Sequence, residues 1–320
     1  MSGTLSCSIV IRAYNEERHI GRLLTGIQQQ TVKDVEIILV DSGSTDDTLQ
    51  IAGRHPVQVV AIYPEEFTFG RSLNRGIAAA RAELVVIASA HVYPVYADWL
   101  ERLLAPFKNP AVGLTYGKQS GDASSKFSER QFLGLWFPDQ SQAQQSHPFC
   151  NNANAAIRKS LWEQNPYDES LTGLEDLAWA KWALEQGHMI DYVAEAEIVH
   201  VHHEKPRKVY NRYRREAMAF KQLFPDERFS LLDFVRMTGS NIASDLWHAA
   251  HQRVLADHWR TILWFRWMQF WGTYQGYQTA GPVTSELREI FYYPRSVGDT
   301  DAPRARDAEP VRYDEAKDEP

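Results

Sequence analysis

Cysteine is scarce in this sequence, which contains only Cys7 and Cys150. Two cysteines are too few for a disulfide framework, so we expect reduced thiols. Long apolar segments are also missing: no run of about 18 apolar residues occurs, and residues 1–7 lack a basic segment followed by an apolar one. We therefore expect a cytoplasmic protein, either soluble or peripheral at the inner face of a membrane.

The sequence also has no excess of positive charge, since the formal net charge is −7 and the pI is near 5.9. General nucleic-acid binding needs a basic face, so this balance argues against a nucleic-acid partner. Length and apolar content are plentiful, because 320 residues, 44% of them hydrophobic, can bury a sizeable core. These values favour one catalytic domain with a smaller appendage.

The first half of the chain alternates strand-like and helix-like patterns. Ser8–Ala13 and Val35–Val40 are apolar runs of buried-strand type, and apolar residues at helical spacing lie between them. Each run stops at a polar cluster, as in a parallel α/β sheet whose ligand lies at the strand carboxyl ends. A site is therefore expected where residues 13–17 meet residues 41–47.

These two motifs, SIVIRAYNEE at Ser8–Glu17 and VEIILVDSGSTDDT at Val35–Thr48, resemble the start of family 2 glycosyltransferases of the GT-A fold. The resemblance implies an α/β fold with a mixed, mainly parallel, Rossmann-like sheet flanked by helices. It also implies transfer of a hexose or deoxyhexose, with inversion, from a nucleoside diphosphate sugar to a glycan or lipid-linked glycan. We expect this catalytic domain over 1–204, a helical C-terminal appendage over 205–295 and a disordered acidic tail over 296–320.

Donor-binding residues are expected where the first two strands end. Asp41 closes the second strand, and its carboxylate can accept hydrogen bonds from a base or a ribose. Tyr14 could cover the base and Glu16 could bind the ribose, while the backbone at Ala13 would line the same slot. Alternatively, Glu16 only complements a helix N-terminus.

A further donor element is expected in FGRSLNRG, which resembles the family's helix bordering the donor pocket. Its Arg71 and Asn74 are the donor-binding candidates, because an arginine fork can bind a phosphate or base carbonyls. A surface ion pair is the alternative for Arg71.

The Asp-x-Asp motif that holds Mn²⁺ or Mg²⁺ in most of the family is absent, and Ser89-Ala90-His91 stands in its place. Related GT-A enzymes that glycosylate polypeptides use Asp-x-His with a second, downstream histidine. The resemblance therefore points to His91 and His200 as metal ligands, with His202 on the same strand face as His200. Imidazole suits Mn²⁺ better than Mg²⁺, so Mn²⁺ is the expected cation. The alternative is a phosphate contact by His91 without a metal.

The general base is expected in TGLEDLAWAKWALEQG, which resembles the family's Glu-Asp element below the acceptor site. Asp176 is the expected base. Glu175 is placed on the acceptor side, although it also suits a helix N-terminus. Asn152 is placed on the acceptor side too. The polar stretch Gly121–His147 is interpreted as an acceptor-side loop or a plain surface insertion.

The C-terminal third combines a basic run over Lys205–Arg215 with several tryptophans. Such helices suit either peripheral contact with an anionic membrane or packing, including a homodimer through 205–295. Two other functions stay open at this point. One is a non-catalytic glycan- or nucleotide-binding protein on a degenerate GT-A fold. The other is a sugar nucleotidyltransferase, which would need a Gly-rich phosphate loop that IRAYNEE does not provide.

Overall fold

The computed structural model describes residues 5–202, 204–279 and 308–313. The strands in these ranges are β1 (Cys7–Ala13), β2 (Val35–Asp41), β3 (Val57–Ala61), β4 (Leu84–Ser89), β5 (Val92–Pro94), β6 (Val112–Ser120), β7 (Asn154–Arg158) and β8 (Met189–His200). The helices are α1 (Ile20–Gln28), α2 (Thr48–Ala52), α3 (Phe69–Ala79), α4 (Trp99–Leu104), α5 (Phe127–Trp136), α6 (Lys159–Trp162), α7 (Glu175–Glu185), α8 (Pro206–Leu223), α9 (Leu231–His251) and α10 (Leu255–Gln278).

The strands form one mixed sheet in the order β3-β2-β1-β4-β7-β6-β8-β5. The run from β3 to β4 is parallel, β6 is parallel to β8, and β5 and β7 are antiparallel to their neighbours. This is the mixed, mainly parallel sheet flanked by helices that the resemblance implies. Ala13 lies opposite Asp41, and Arg12 lies opposite Ser89. The polar residues that follow β1, β2 and β4 therefore share one edge of the sheet.

Both faces of the sheet are covered, which explains the apolar run Ile9–Ile11 in the middle of β1. Ile9 and Ile11 pack in the core layer that contains α1, whereas Val10 packs in the opposite layer with α3. Successive side chains of a strand point to opposite faces, so a doubly covered strand needs an unbroken apolar run. Gly76 lets α3 approach closely, because a Cβ there would lie 2.4 Å from Cγ1 of Val10.

Helix α5 lies inside the stretch Gly121–His147, so the prediction of a loop is wrong for Phe127–Trp136. Phe127 is buried in a cluster with Ala249 of α9 and Ile262 of α10. Part of the apolar cover of this helix thus comes from residues much later in the chain, and the local sequence contains no sign of it.

The C-terminal region is helical, as expected, and α10 lies along α8. Two glycines permit the close approach: a Cβ on Gly272 would lie 2.4 Å from the carbonyl oxygen of Tyr210, and one on Gly276 would lie 2.4 Å from that of Arg214. None of the helices in the described ranges has the length and apolar content required to cross a bilayer.

The tail prediction over 296–320 falls mostly outside the described residues. Residues 308–313 are described, however, and they are ordered along β5. Val311 N–H donates to the carbonyl of Val95 at 3.0 Å, and the Tyr313 hydroxyl donates to that of Pro94 at 2.5 Å. For these six residues the expectation of disorder is wrong, because backbone pairing with the sheet edge and burial of Val311 hold them in place.

Candidate active site

Asp41 lies at the carboxyl end of β2 and is buried, with a 4% exposed fraction. Its Oδ2 accepts hydrogen bonds from the backbone N–H groups of Gly43 at 3.0 Å and Ser44 at 3.1 Å. These bonds shape the turn after β2, in which Gly43 has a φ of +86°. A carboxylate has about four acceptor positions, so Asp41 retains capacity for a ligand hydroxyl or N–H.

The segment after β1 is fastened to this same turn. Ser42 N–H donates to the carbonyl of Ala13 at 3.0 Å, and Oδ1 of Asn15 accepts from Thr45 N–H at 2.8 Å. Tyr14, between them, has an exposed fraction of 56%. The structure therefore brings Ala13 and Asp41 together as the sequence predicts and leaves the Tyr14 ring available to a ligand.

Glu16 contacts His91, which connects an expected donor residue with an expected metal ligand. Its Oε1 lies 2.8 Å from Nδ1 of His91. Since a carboxylate only accepts hydrogen bonds, Nδ1 carries the proton and Nε2 of this ring is free to bind an ion. Ribose binding by Glu16 remains a prediction.

Three histidines form a cluster beside the β4–β5 turn. His91, His200 and His202 each offer a ring nitrogen within 4.8 Å of the other two. Backbone pairing brings them together, because Val92 of β5 lies opposite His200 of β8. The His91 and His200 rings stack with centroids 5.0 Å apart, and those of His200 and His202 are 4.1 Å apart.

The cluster fits a divalent cation. Burial, together with neighbouring positive groups, holds the pKa of His200 and that of His202 well below their usual range, so both rings are neutral. Nε2 of His200 is buried and finds no hydrogen-bond partner among the described residues. A buried lone pair without a donor costs free energy, and a metal ion would satisfy it.

Asp176 lies at the start of α7, where two backbone groups hold its carboxylate. Oδ1 accepts from Leu177 N–H at 2.8 Å, and Oδ2 accepts from Asn152 N–H at 3.2 Å. Burial and the adjacent charge of Glu175 raise the pKa of Asp176 from 3.8 to about 7. A carboxyl group with such a pKa suits proton abstraction near neutral pH.

Glu175 and Asn152, the expected acceptor-side residues, are both buried next to Asp176. Glu175 accepts from Nη1 of Arg12 at 3.1 Å, and its exposed fraction is 4%. The Asn152 side chain is buried as well, and its Nδ2 finds no hydrogen-bond partner among the described residues. The Asn152 amide and the Glu175 charge therefore both act on Asp176, and direct acceptor contact by these two residues remains a prediction.

Arg71 and Asn74 bind the segment that precedes α7. Nε of Arg71 lies 2.7 Å from Oε2 of Glu169, and Nδ2 of Asn74 donates to Oε1 of the same residue at 3.0 Å. For Arg71 this is the ion pair that the sequence left as the alternative. Asn74 also accepts from Nε1 of Trp162 at 2.9 Å. Donor binding by these two residues remains a prediction.

Sequence reasoning did not single out two arginines whose side chains meet at Phe69. Arg12 lies over the Phe69 ring at 5.1 Å from its centroid, and Arg215 of α8 lies 4.6 Å from the same centroid. The two guanidinium groups place positive charge around Phe69 by cation–π contact. Arg215 lay within the basic run, but nothing in the sequence indicated which of its residues turns toward the catalytic domain.

Comparison with known proteins agrees with this architecture. Residues 8–165 match the sequence profile of Glycosyl transferase family 2. The O-antigen chain rhamnosyltransferase WbaN of Salmonella anatum is 27% identical over 197 residues, which are 58% of this chain and 62% of WbaN. RfbN of Salmonella typhimurium, with the same description, is 23% identical over 65% of this chain and 70% of its own length. The chain thus spans less than two thirds of WbaN.

Among solved structures, the mannosyltransferase PcManGT from Pyrobaculum calidifontis, in complex with GDP-Man and Mn²⁺, superimposes with a TM-score of 0.60. It is 19% identical, and the match covers 84% of this chain and 86% of PcManGT. At this identity the likeness concerns the fold, which is the GT-A arrangement of sheet and helices. The profile match shows that residues 8–165 of this chain belong to glycosyl transferase family 2, and the fold shared with PcManGT agrees with that assignment.

Proposed function

We propose that this protein is an inverting glycosyltransferase that moves a hexose or deoxyhexose from a nucleoside diphosphate sugar to a glycan or lipid-linked glycan. The observation that carries the proposal is Asp176, a carboxyl group held by two backbone amides with its pKa raised to about 7. Asp41 ends β2 and His91 follows β4, while Arg12 of β1, the strand between them, pairs with Glu175 next to Asp176, which supports a single site for donor, cation and base.

In this proposal Asp41 and the backbone at Ala13 hold the base or ribose, and Tyr14 covers the ring. Asp176 removes the proton from the acceptor hydroxyl. Arg12 pairs with Glu175 and so limits the electrostatic repulsion between the two adjacent carboxylates. In-line attack opposite the leaving diphosphate inverts the configuration at the anomeric carbon.

A divalent cation would be held by His91 and His200, and it would offset the charge that develops on the leaving diphosphate. Mn²⁺ is the cation proposed here, because imidazole nitrogen suits it better than it suits Mg²⁺. The Mn²⁺ in the PcManGT complex supports this choice. The rhamnosyltransferases supply support for a deoxyhexose and a glycan-type acceptor.

The decisive experiment is product analysis. Wild-type protein, a panel of nucleoside diphosphate sugars and Mn²⁺ are incubated with glycan and lipid-linked acceptors, and the anomeric configuration of donor and product is compared by NMR. The proposal predicts transfer with inversion. Retention of configuration would rule out the role of Asp176, and glycan or nucleotide binding without any turnover would favour the non-catalytic alternative.

A further inference from the structure

All three rings of the histidine cluster turn Nδ1 toward an oxygen atom, although the proposed cation site uses only His91 and His200. Each ring uses Nδ1 for a separate acceptor elsewhere in the fold. Nδ1 of His91 contacts Glu16 at 2.8 Å, and Nδ1 of His200 contacts Oε1 of Gln119 at 2.7 Å. The third, Nδ1 of His202, lies 3.5 Å from Oε1 of Glu129 on α5.

These contacts determine the tautomers. The oxygens of Glu16 and Gln119 accept hydrogen bonds, so the protons of His91 and His200 lie on Nδ1 and their lone pairs lie on Nε2. In His202 the Glu129 carboxylate, 3.5 Å from Nδ1, favours the same tautomer. Acceptors that hold the second nitrogen of a metal-binding histidine are the usual support of such ligands. Three rings whose Nδ1 atoms all face such oxygens, with centroids within 5.4 Å of one another, point to a shared ion.

We propose that His91, His200 and His202 bind one divalent transition-metal ion through three imidazole nitrogens, with Glu129 as the positioning residue of His202. This inference rests on the proposed cation site and adds its third ligand. Three neutral nitrogens favour borderline ions such as Co²⁺, Zn²⁺, Fe²⁺ and Mn²⁺ over Mg²⁺, which prefers oxygen. Because these ligands carry no charge, the ion keeps its full +2 charge for an anionic ligand such as a diphosphate.

Glu129 also connects this site to the C-terminal helices. It is buried, with a 4% exposed fraction, and its carboxylate lies 3.1 Å from Nζ of Lys126 and 3.2 Å from Nη2 of Arg212 on α8. Lys126 in turn donates to the carbonyl of His202 at 2.9 Å. The position of the third ligand therefore depends on how α5 and α8 pack together.

The test uses the full chain, freed of metal with EDTA and then titrated with Co²⁺ alone, without nucleotide. Isothermal titration calorimetry gives affinity and stoichiometry, and visible absorption of bound Co²⁺ reports the ligand set. Wild-type protein should bind one Co²⁺, and a large excess of Mg²⁺ should not displace it. His251→Ala, which removes an exposed histidine of α9, should behave as wild type.

His202→Ala should weaken Co²⁺ binding by more than the roughly 10–100-fold that loss of a ligand's hydrogen-bond partner costs, and should change the spectrum. Glu129→Gln should weaken binding within that roughly 10–100-fold range but keep a spectrum like that of wild type, since all three nitrogens remain. Thermal unfolding monitors folding of each variant, and His202→Gln replaces His202→Ala if the latter does not fold.

Wild-type affinity and spectrum in His202→Ala, combined with loss of binding in His91→Ala and His200→Ala, would overturn the three-histidine site and retain the proposed two-histidine site. A wild-type protein that binds nucleoside diphosphate but no Co²⁺ would overturn the cation site altogether, without touching the assignment of the general base.

Discussion

Arg12, the penultimate residue of β1, donates from Nη1 to Oε1 of Glu175 at 3.1 Å and thereby ties the first strand to the first turn of α7. The Glu175 side chain is almost fully buried, and the Arg12 side chain is 15% exposed. Glu175 raises the pKa of its neighbour Asp176, while Arg12 acts in the opposite direction. This pair therefore tunes the basicity of Asp176, and it provides the first two tests of the proposed mechanism.

Removal of the proposed base should slow the transfer step strongly and preserve donor binding. Asp176→Asn keeps the shape and hydrogen-bonding capacity of the side chain, so nucleotide affinity should stay near the wild-type value. Loss of a positioned general base costs about 10²–10⁴-fold in rate, and kcat should fall accordingly in a transfer assay. Glu175→Gln is the matched control and should lower kcat far less. Full activity in Asp176→Asn would disprove the inverting mechanism assigned here.

The pH profile should reveal the raised pKa of Asp176. A base must be deprotonated to act, so kcat should increase with pH through about 7, the pKa that burial and Glu175 impose. Glu175→Gln removes the repulsion between the two carboxylates and so lowers the pKa of Asp176. The rise of kcat with pH should therefore occur at lower pH in this variant. Steady-state rates over a pH series measure both effects. The same pH dependence of kcat in Glu175→Gln and in wild type would contradict the electrostatic coupling between Glu175 and Asp176.

Asp41 should contribute to nucleotide affinity. Asp41→Ala should weaken nucleoside diphosphate binding by about 1.5–3 kcal/mol, the range for a hydrogen bond to a charged group. Calorimetry measures the change, and a thermal scan checks the turn that Asp41 also holds through Gly43 and Ser44. Asp34→Ala, at the exposed start of the same strand segment, serves as the control. Unchanged affinity in Asp41→Ala would remove Asp41 from the donor site.

Removal of metal should inactivate the enzyme. Activity should fall in EDTA and return with Mn²⁺ more fully than with Mg²⁺, because the expected ligands His91 and His200 are imidazoles. A transfer assay with each ion added back tests this. Full activity in EDTA would mean that arginines offset the diphosphate charge, and Arg12 and Arg215 around Phe69 would then be candidates.

The C-terminal helices should bind anionic vesicles. They expose large apolar side chains on α9 and α10, namely Leu231, Leu232, Val235, Trp247, Trp259, Leu263 and Trp267. Residues at the start of the basic run, including Arg207 and Lys208, are exposed, whereas Arg212 is paired with Glu129 and Glu204. We expect the protein to sediment with anionic but not neutral vesicles and to be released by salt.

The control for vesicle binding is a comparison of two exposed apolar sites. The double substitution Trp259→Ser and Trp267→Ser should weaken sedimentation with vesicles, whereas Leu49→Ser on α2 should not. Equal sedimentation with neutral and anionic vesicles, together with a dimer in analytical ultracentrifugation, would contradict membrane binding. The exposed apolar side chains of α9 and α10 would then be assigned to a contact between two copies of the chain.

Local sequence was enough for the parallel half of the fold. The strands β1 and β2 are apolar runs closed by polar residues, and their doubly buried position follows from that pattern. The same reasoning placed Asp41 at a strand end and Asp176 in the first turn of a helix, because strand ends and helix starts are local features.

The sequence by itself thus determined where the sheet lies, which residues follow its strands and that the C-terminal region is helical. Tertiary structure decided the partners of those residues. Arg71 meets Glu169, 98 positions along the chain, and His202 meets Glu129 of a helix that the sequence did not reveal. Such contacts depend on how whole helices and strands pack, and neither periodicity nor spacing within one segment contains that information.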